Sequence, residues 1–139
     1  MGSADILRRG SGFAVQRDVV GAQLMEIAEA LAKYRFRFSC ERELQEGIHR
    51  ALVIANIEVE KEYVLDGQSR PDFLTKSGIA VEIKTKGSLT QLLRQIARYA
   101  LHPDVKAVLV VGSPYWIASI PVRLEQKPVM GVRLMGSLF

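Results

Sequence analysis

The chain has 139 residues, of which 48% are hydrophobic and 24% are charged. This balance is typical of a soluble globular domain, and it excludes a disordered or collagen-like chain. The length suits one domain with one core. The single cysteine, Cys40, excludes an internal disulfide and a four-cysteine metal cluster, and we expect it to be a small buried residue.

Basic side chains outnumber acidic ones, and the net charge of +4 suits a polyanionic partner such as a nucleic acid without specifying one. No run approaches the roughly 18 apolar residues that span a bilayer, so a membrane is not an expected partner. No apolar run of the signal-peptide kind follows the first basic residues. We therefore expect a cytoplasmic protein.

Two helices are predicted before the first strand. Apolar side chains at three-and-four spacing predict a helix over Val19–Tyr34. Ser39 has the character of an N-cap, and the acidic first turn after it predicts a second helix over Cys40–Ala55. Glu41 lies one turn before the apolar face that begins at Leu44, so we expect its side chain to point inward.

An antiparallel meander of three strands is predicted next, with turn residues between the strands. Its strands are Ile57–Leu65, Arg70–Thr75 and Ile79–Lys86. A third helix, capped by Ser88, leads to the almost wholly apolar strand Val105–Val111, which predicts a right-handed β-α-β unit. The tail contains two further candidate strands or short helices, Tyr115–Ile120 and Val129–Leu134.

This order of elements predicts an α/β fold in which helices flank a mixed β-sheet. Residues 1–38 would form an N-terminal helical extension and residues 39–139 the main domain, with one compact domain overall.

Two neighbouring predicted strands carry the residues best suited to chemistry. Asp72 is followed ten positions later by Glu82, and Lys84 comes two residues after that. Because side chains alternate along a strand, Glu82 and Lys84 share a face, while Ile83 packs inward and leaves its carbonyl oxygen available to a cation. Carboxylate and carbonyl oxygens suit Mg²⁺. The alternative is a strand with a solvated face and cross-strand ion pairs.

Polar residues also cluster on the third helix, where Gln95, Arg98 and Tyr99 stand at positions i, i+3 and i+4. Taken alone, this helix could hold Tyr99 in the core and Arg98 in solvent. In chain order with the strand residues, however, these positions resemble the PD-(D/E)XK nuclease superfamily, in its RecB-like and lambda-exonuclease-like branch with a Gln-x-x-x-Tyr motif. The resemblance covers residues 39–112 and implies a restriction-endonuclease-like core.

The resemblance also implies roles for the residues of the strands. Asp72, Glu82 and the carbonyl of Ile83 would bind Mg²⁺ or Mn²⁺, and Lys84 would be the catalytic lysine. Glu41 would be the helix glutamate that supports the metal. Two nearby glutamates remain rivals for that role, and they are Glu43 and Glu46.

The same resemblance implies that Gln95 and Tyr99 orient the catalytic lysine or contact the nucleic-acid backbone. Nucleic-acid contacts would come from Arg98, Lys86 and Arg70. Glu62 could stand near the site without a definite role.

The implied activity is metal-dependent hydrolysis of phosphodiester bonds, with DNA favoured over RNA and a preference for structure or ends over sequence. The alternative is a catalytically silent nuclease-fold subunit that binds nucleic acid or serves assembly. A homodimer or larger homo-oligomer is a further expectation, because cutting two strands needs two active sites.

Overall fold

The computed structural model describes residues 19–134, so residues 1–18 of the predicted N-terminal extension and residues 135–139 of the main domain lie outside the described part. Residues 19–32 are helical and are called α1. A 3-10 helix follows the fourth strand. The elements after α1 are α2 (Glu41–Ile54), β1 (Val59–Lys61), β2 (Phe73–Thr75), β3 (Ile79–Lys84), α3 (Leu89–Ala100), β4 (Ala107–Gly112), the 3-10 helix (Tyr115–Ser119), β5 (Arg123–Leu124) and β6 (Lys127–Arg133).

Within these residues the six strands form one sheet in the order β1-β2-β3-β4-β6-β5. Strands β3, β4 and β6 run parallel to one another, whereas the pairs β1–β2, β2–β3 and β5–β6 are antiparallel. The predicted α/β class with a mixed sheet is therefore confirmed, as are the antiparallel meander and the parallel strand after α3. None of the helices in this part of the chain is long and apolar enough to cross a membrane.

Each face of the sheet buries its own hydrophobic core. Ile79, Val81 and Ile83 of β3 pack with α1 and α2. Ala80 of β3 packs with α3 and the 3-10 helix on the other face. Because side chains alternate along a strand, Glu82 and Lys84 point to the same face as Ala80, toward α3. This alternation decides which helix meets the polar residues.

The meander strands are shorter than predicted, and the largest difference is in β1. The alternation of apolar and charged residues predicts Ile57–Leu65, but pairing covers only Val59–Lys61. Glu62 adopts a positive φ of 50°, which bends the chain away, although its N–H still donates to the carbonyl of Asp72 at 2.8 Å. The alternation of apolar and charged residues therefore extends past the three residues that pair with β2.

The start of α2 also differs from the prediction. The N-cap is Cys40, in extended conformation and without a side-chain cap, and not Ser39. Ser39 instead donates from its hydroxyl to Glu43 at 2.6 Å, so the first turn is closed by the glutamate. Cys40 is exposed, so its predicted burial was wrong. It precedes the helix, and its Sγ lies 3.9 Å from Glu43 Oε1 at the surface.

The segments that follow β3 agree better with the sequence. Ser88 caps α3, since its Oγ accepts a hydrogen bond from the Gln91 N–H at 3.2 Å. All six residues of β4 are buried, as an apolar strand between two layers requires. Of the two tail segments, the first is the 3-10 helix and the second belongs to β6.

Candidate active site

The antiparallel pairing of β2 and β3 brings the two acidic residues of the motif together. Phe73 pairs with Val81, so the register continued by one residue sets Asp72 opposite Glu82. Glu82 is only 4% exposed, and its side chain lies on the α3 face. Asp72 stands just before β2 and is partly buried. Two carboxylates thus meet in a region that excludes most water.

Both oxygens of Asp72 accept hydrogen bonds. The Ile83 N–H donates to Oδ2 at 2.7 Å, and the Gln45 side-chain amide donates to Oδ1 at 2.9 Å. Neither donor carries a charge, so the carboxylate is held in orientation without being neutralised. Gln45 comes from α2, and this helix is therefore tied directly to the site.

Glu82 ends a chain of polar side chains that begins on α3. The Gln95 amide donates to the Tyr99 hydroxyl at 2.9 Å, and that hydroxyl donates to Glu82 Oε1 at 2.9 Å. The second carboxylate oxygen of Glu82 lies 3.4 Å from Lys84 Nζ. Tyr99 thus contacts Glu82 directly, and Gln95 contacts Tyr99. The chain reaches Lys84 only through Glu82.

The three glutamates at the start of α2 have different surroundings. Glu41 is partly buried, and its Oε1 accepts a hydrogen bond from the Thr85 N–H at 3.1 Å, just beyond β3. Glu43 is bonded to Ser39, and Glu46 forms an exposed pair with Arg42. Among the three, Glu41 is the one brought to the end of β3.

Burial, followed by neighbouring carboxylates, raises the pKa of both acids. Burial raises the pKa of Asp72 to about 6, with Glu41 and Glu62 adding to the shift while the Ile83 N–H and Lys84 oppose it. Burial also raises the pKa of Glu82 to about 7, with Asp72 adding and Lys84 opposing. The site therefore holds more negative charge than its one lysine balances.

The tyrosine is affected in the same direction. Burial, followed by the neighbouring charge of Glu82, raises the pKa of Tyr99 above its ordinary value. Tyr99 consequently keeps its proton and acts as a donor to Glu82 at neutral pH.

The carboxylates of the site meet some, but not all, of the requirements of a hard divalent cation. Carboxylate oxygens and an excess of negative charge favour Mg²⁺, which often binds through one or two carboxylates and keeps several waters. Within residues 19–134, however, no three His, Cys, Asp or Glu side chains converge as a metal cage. The implied third ligand Glu41 is thus not grouped with Asp72 and Glu82, and a two-carboxylate site fits the arrangement better.

No family model, curated protein or solved structure matches the chain. The three cations implied as nucleic-acid contacts are all exposed: Arg70 precedes Pro71 and Asp72, Lys86 follows β3, and Arg98 precedes Tyr99 on α3.

Sequence reasoning missed Gln45. A signal was present, because Gln45 lies four residues after Glu41 and therefore on the same side of α2, one turn further along. Both side chains reach the meander, Glu41 at the Thr85 N–H and Gln45 at Asp72. A polar pair at this spacing on the inner side of a helix was the available indication.

Proposed function

We propose that the chain is a nuclease that hydrolyses phosphodiester bonds of nucleic acid, preferably DNA, with Mg²⁺ or Mn²⁺. The observation that carries the proposal is the pair formed by buried Glu82 and partly buried Asp72, with Lys84 at 3.4 Å from Glu82. Burying two like charges costs free energy, and a strand that serves only as scaffold has no need of them. Perturbed acids of this kind are typical of functional sites.

In this proposal Asp72 and Glu82 hold the cation, together with the carbonyl of Ile83. The bound ion would lower the pKa of a water and offset negative charge on the phosphate. Lys84 carries a positive charge beside the same carboxylate, where it can orient the attacking water and stabilise charge that develops on the phosphate. We assign Lys84 these two roles and not that of a general base.

The hydrogen bonds around the acids keep them in place before substrate arrives. The Ile83 N–H and Gln45 fix the plane of the Asp72 carboxylate, and Tyr99 fixes one oxygen of Glu82. Groups already held in the reactive geometry need not be ordered during the reaction. The exposed cations near the site would bind backbone phosphates, which gives affinity without sequence preference.

The test is cleavage of labelled DNA and RNA, as single strands, duplexes and flaps, with Mg²⁺, Mn²⁺ or EDTA. We expect cleavage that requires the metal and that Asp72→Asn removes. A matched control is Asp104→Asn, an exposed aspartate before β4 at the other end of the sheet, which should leave cleavage unchanged. Binding to nucleic acid without cleavage of any substrate would instead support a catalytically silent subunit.

A further inference from the structure

The parallel strands end in one row of paired residues. Lys84 of β3 pairs with Gly112 of β4, which pairs with Arg133 of β6. Paired residues in a sheet point to the same face, so both cations lie on the α3 face with the glycine between them. We call this end of the parallel strands the carboxyl edge. It contains the candidate active site at its β3 side.

Two glycines allow the 3-10 helix to lie directly on the sheet next to this row. A Cβ at Gly112 would overlap the carbonyl oxygen of Lys84 and lie 3.0 Å from Ile117 Cδ1. A Cβ at Gly131 would lie 2.6 Å from the carbonyl oxygen of Ile117. A side chain at Gly131 would therefore displace the 3-10 helix, and one at Gly112 would displace the end of β3 and crowd Ile117. The close packing of the 3-10 helix on β6 depends on Gly131.

Tyr115, the first residue of the 3-10 helix, is exposed to solvent, although residues on both sides of it in the chain are held by hydrogen bonds. Its side chain is 76% exposed, whereas the next residue, Trp116, is 9% exposed. The Trp116 indole N–H donates to the Gly87 carbonyl at 3.1 Å. On the other side, the Ser113 N–H donates to the Lys84 carbonyl at 3.2 Å. The turn is therefore attached to the end of β3 both before and after the exposed ring.

Positive charges lie on both sides of this turn. Arg133 directs its Nε toward the Ser113 carbonyl at 3.5 Å, two residues before Tyr115. Lys86 is exposed and directly precedes Gly87, the acceptor of the Trp116 bond. An exposed aromatic ring on a turn with cations on the segments that contact it is the combination with which proteins bind unpaired nucleotides, because the ring stacks on a base while the cations bind the backbone.

We propose that Tyr115 is a stacking platform for an unpaired base, and that Lys86 and Arg133 bind the phosphates of the same strand. The inference rests on the proposed function and names its substrate class, which is single-stranded nucleic acid or a frayed end. In an intact duplex the faces of internal bases are covered by their neighbours, so a stacking platform discriminates against it.

The test measures binding apart from cleavage. Fluorescence anisotropy in EDTA compares a labelled DNA single strand with the duplex of the same sequence. Tyr115→Ala should weaken single-strand binding about tenfold, as expected for the loss of one stacked base, and change duplex binding little. Tyr115→Trp should retain single-strand binding. The control is Leu101→Ala, which removes another exposed apolar side chain, 67% exposed, at the far end of α3.

The outcomes separate this inference from the proposed reaction. If the wild-type chain cuts DNA and Tyr115→Ala binds single strands as tightly as wild type, the platform is refuted and the nuclease stands. An equal loss for single strand and duplex also refutes it. If Tyr115→Ala alone loses single-strand affinity in a chain that cuts nothing, the platform stands and the nuclease does not. A wild-type chain that binds no DNA refutes both.

Discussion

The two ends of the parallel strands differ in cavity volume and in how far their charged side chains are buried. The amino edge, where β3 and β4 begin, adjoins a cavity of about 800 Å³ bounded by His49, Thr75, Gly78 and Asp104. The charged side chains there are exposed, as in the Glu58–Lys76 pair, whose groups lie 3.8 Å apart and are 76% and 85% exposed. Such a pair contributes about 1 kcal/mol or less to stability.

The carboxyl edge has the opposite character. Asp72 and Glu82 are withdrawn from water, their pKa values are raised, and each is held by hydrogen bonds from other elements. A large cavity offers room, but acids withdrawn from water cost free energy, and acids perturbed in this way cluster at functional sites. The comparison favours the acids of the carboxyl edge, and not the cavity at the amino edge, as the candidate reactive site.

The largest expected effect is that of Glu82→Gln, which should separate activity from stability. The amide can still accept the Tyr99 hydrogen bond but removes a buried negative charge, so the metal-free protein should melt at a higher temperature. Cleavage should fall by at least about 100-fold, because the cation loses a carboxylate. The amino-edge control Glu58→Gln should change neither. A lower melting temperature with normal cleavage would remove the contrast between the two edges.

The second prediction concerns pH. The folded-state pKa values of Asp72, about 6, and Glu82, about 7, exceed the ordinary values of 3.8 and 4.5. The folded protein therefore keeps protons that the unfolded chain has released. The stability that these groups contribute is complete below the unfolded values and is lost as pH rises through about 6 to 7.

We expect the melting temperature of the metal-free protein to include a fall between about pH 4.5 and 7, and Glu82→Gln should remove the part of that fall that Glu82 contributes. Saturating Mg²⁺ should raise the melting temperature more at the higher pH, where both carboxylates are ionised. A calorimetric scan at several pH values measures both effects. An Mg²⁺ effect that is equal across this range would argue against binding by the two acids.

The third prediction concerns the two residues of α3 that hold Glu82 in place at the carboxyl edge. Tyr99→Phe removes only the hydroxyl that donates to Glu82, and Gln95→Ala removes the donor behind it. Single-turnover cleavage should slow about tenfold, since the carboxylate is less well held, while Mg²⁺ binding by calorimetry persists. The reverse pattern, normal rates with lost metal binding, would mean that these residues serve the ion instead of the geometry.

The smallest expected effect is that of Gln45→Ala, which frees one oxygen of Asp72 but leaves the Ile83 N–H bond intact. We expect a severalfold higher Mg²⁺ requirement at an almost unchanged rate in saturating metal. Glu46→Ala, one residue further along α2 and exposed, is the matched control. Equal behaviour of the two variants would show that α2 supports the fold and not the site.

Sequence predicted the layers of this fold better than the details of its site. Apolar periodicity located α3 and the buried strand β4 because both are fixed by burial on one or two faces. It overextended β1, since alternation does not reveal where a partner strand ends or where Glu62 turns. The proximity of Asp72, Glu82 and Lys84 was predicted from their spacing on two neighbouring strands.

The contacts between elements could not be found in that way. That Tyr99 bonds Glu82, and that Gln45 bonds Asp72, depends on how α3 and α2 cross the sheet. Such crossings are set by tertiary packing, which one-dimensional patterns do not contain. The exposure of Tyr115 could not be predicted for the same reason, because the 3-10 helix that carries it packs against glycines of two strands.

The most direct test of a reactive carboxyl edge is the single-turnover cleavage rate of Lys84→Ala beside that of Lys76→Ala, an exposed lysine at the amino edge. We predict a loss of at least about 100-fold for Lys84→Ala, because in the proposed reaction its charge acts on the phosphate, and a normal rate for Lys76→Ala. Circular dichroism should show both variants folded. Cleavage by Lys84→Ala at the wild-type rate would contradict the account.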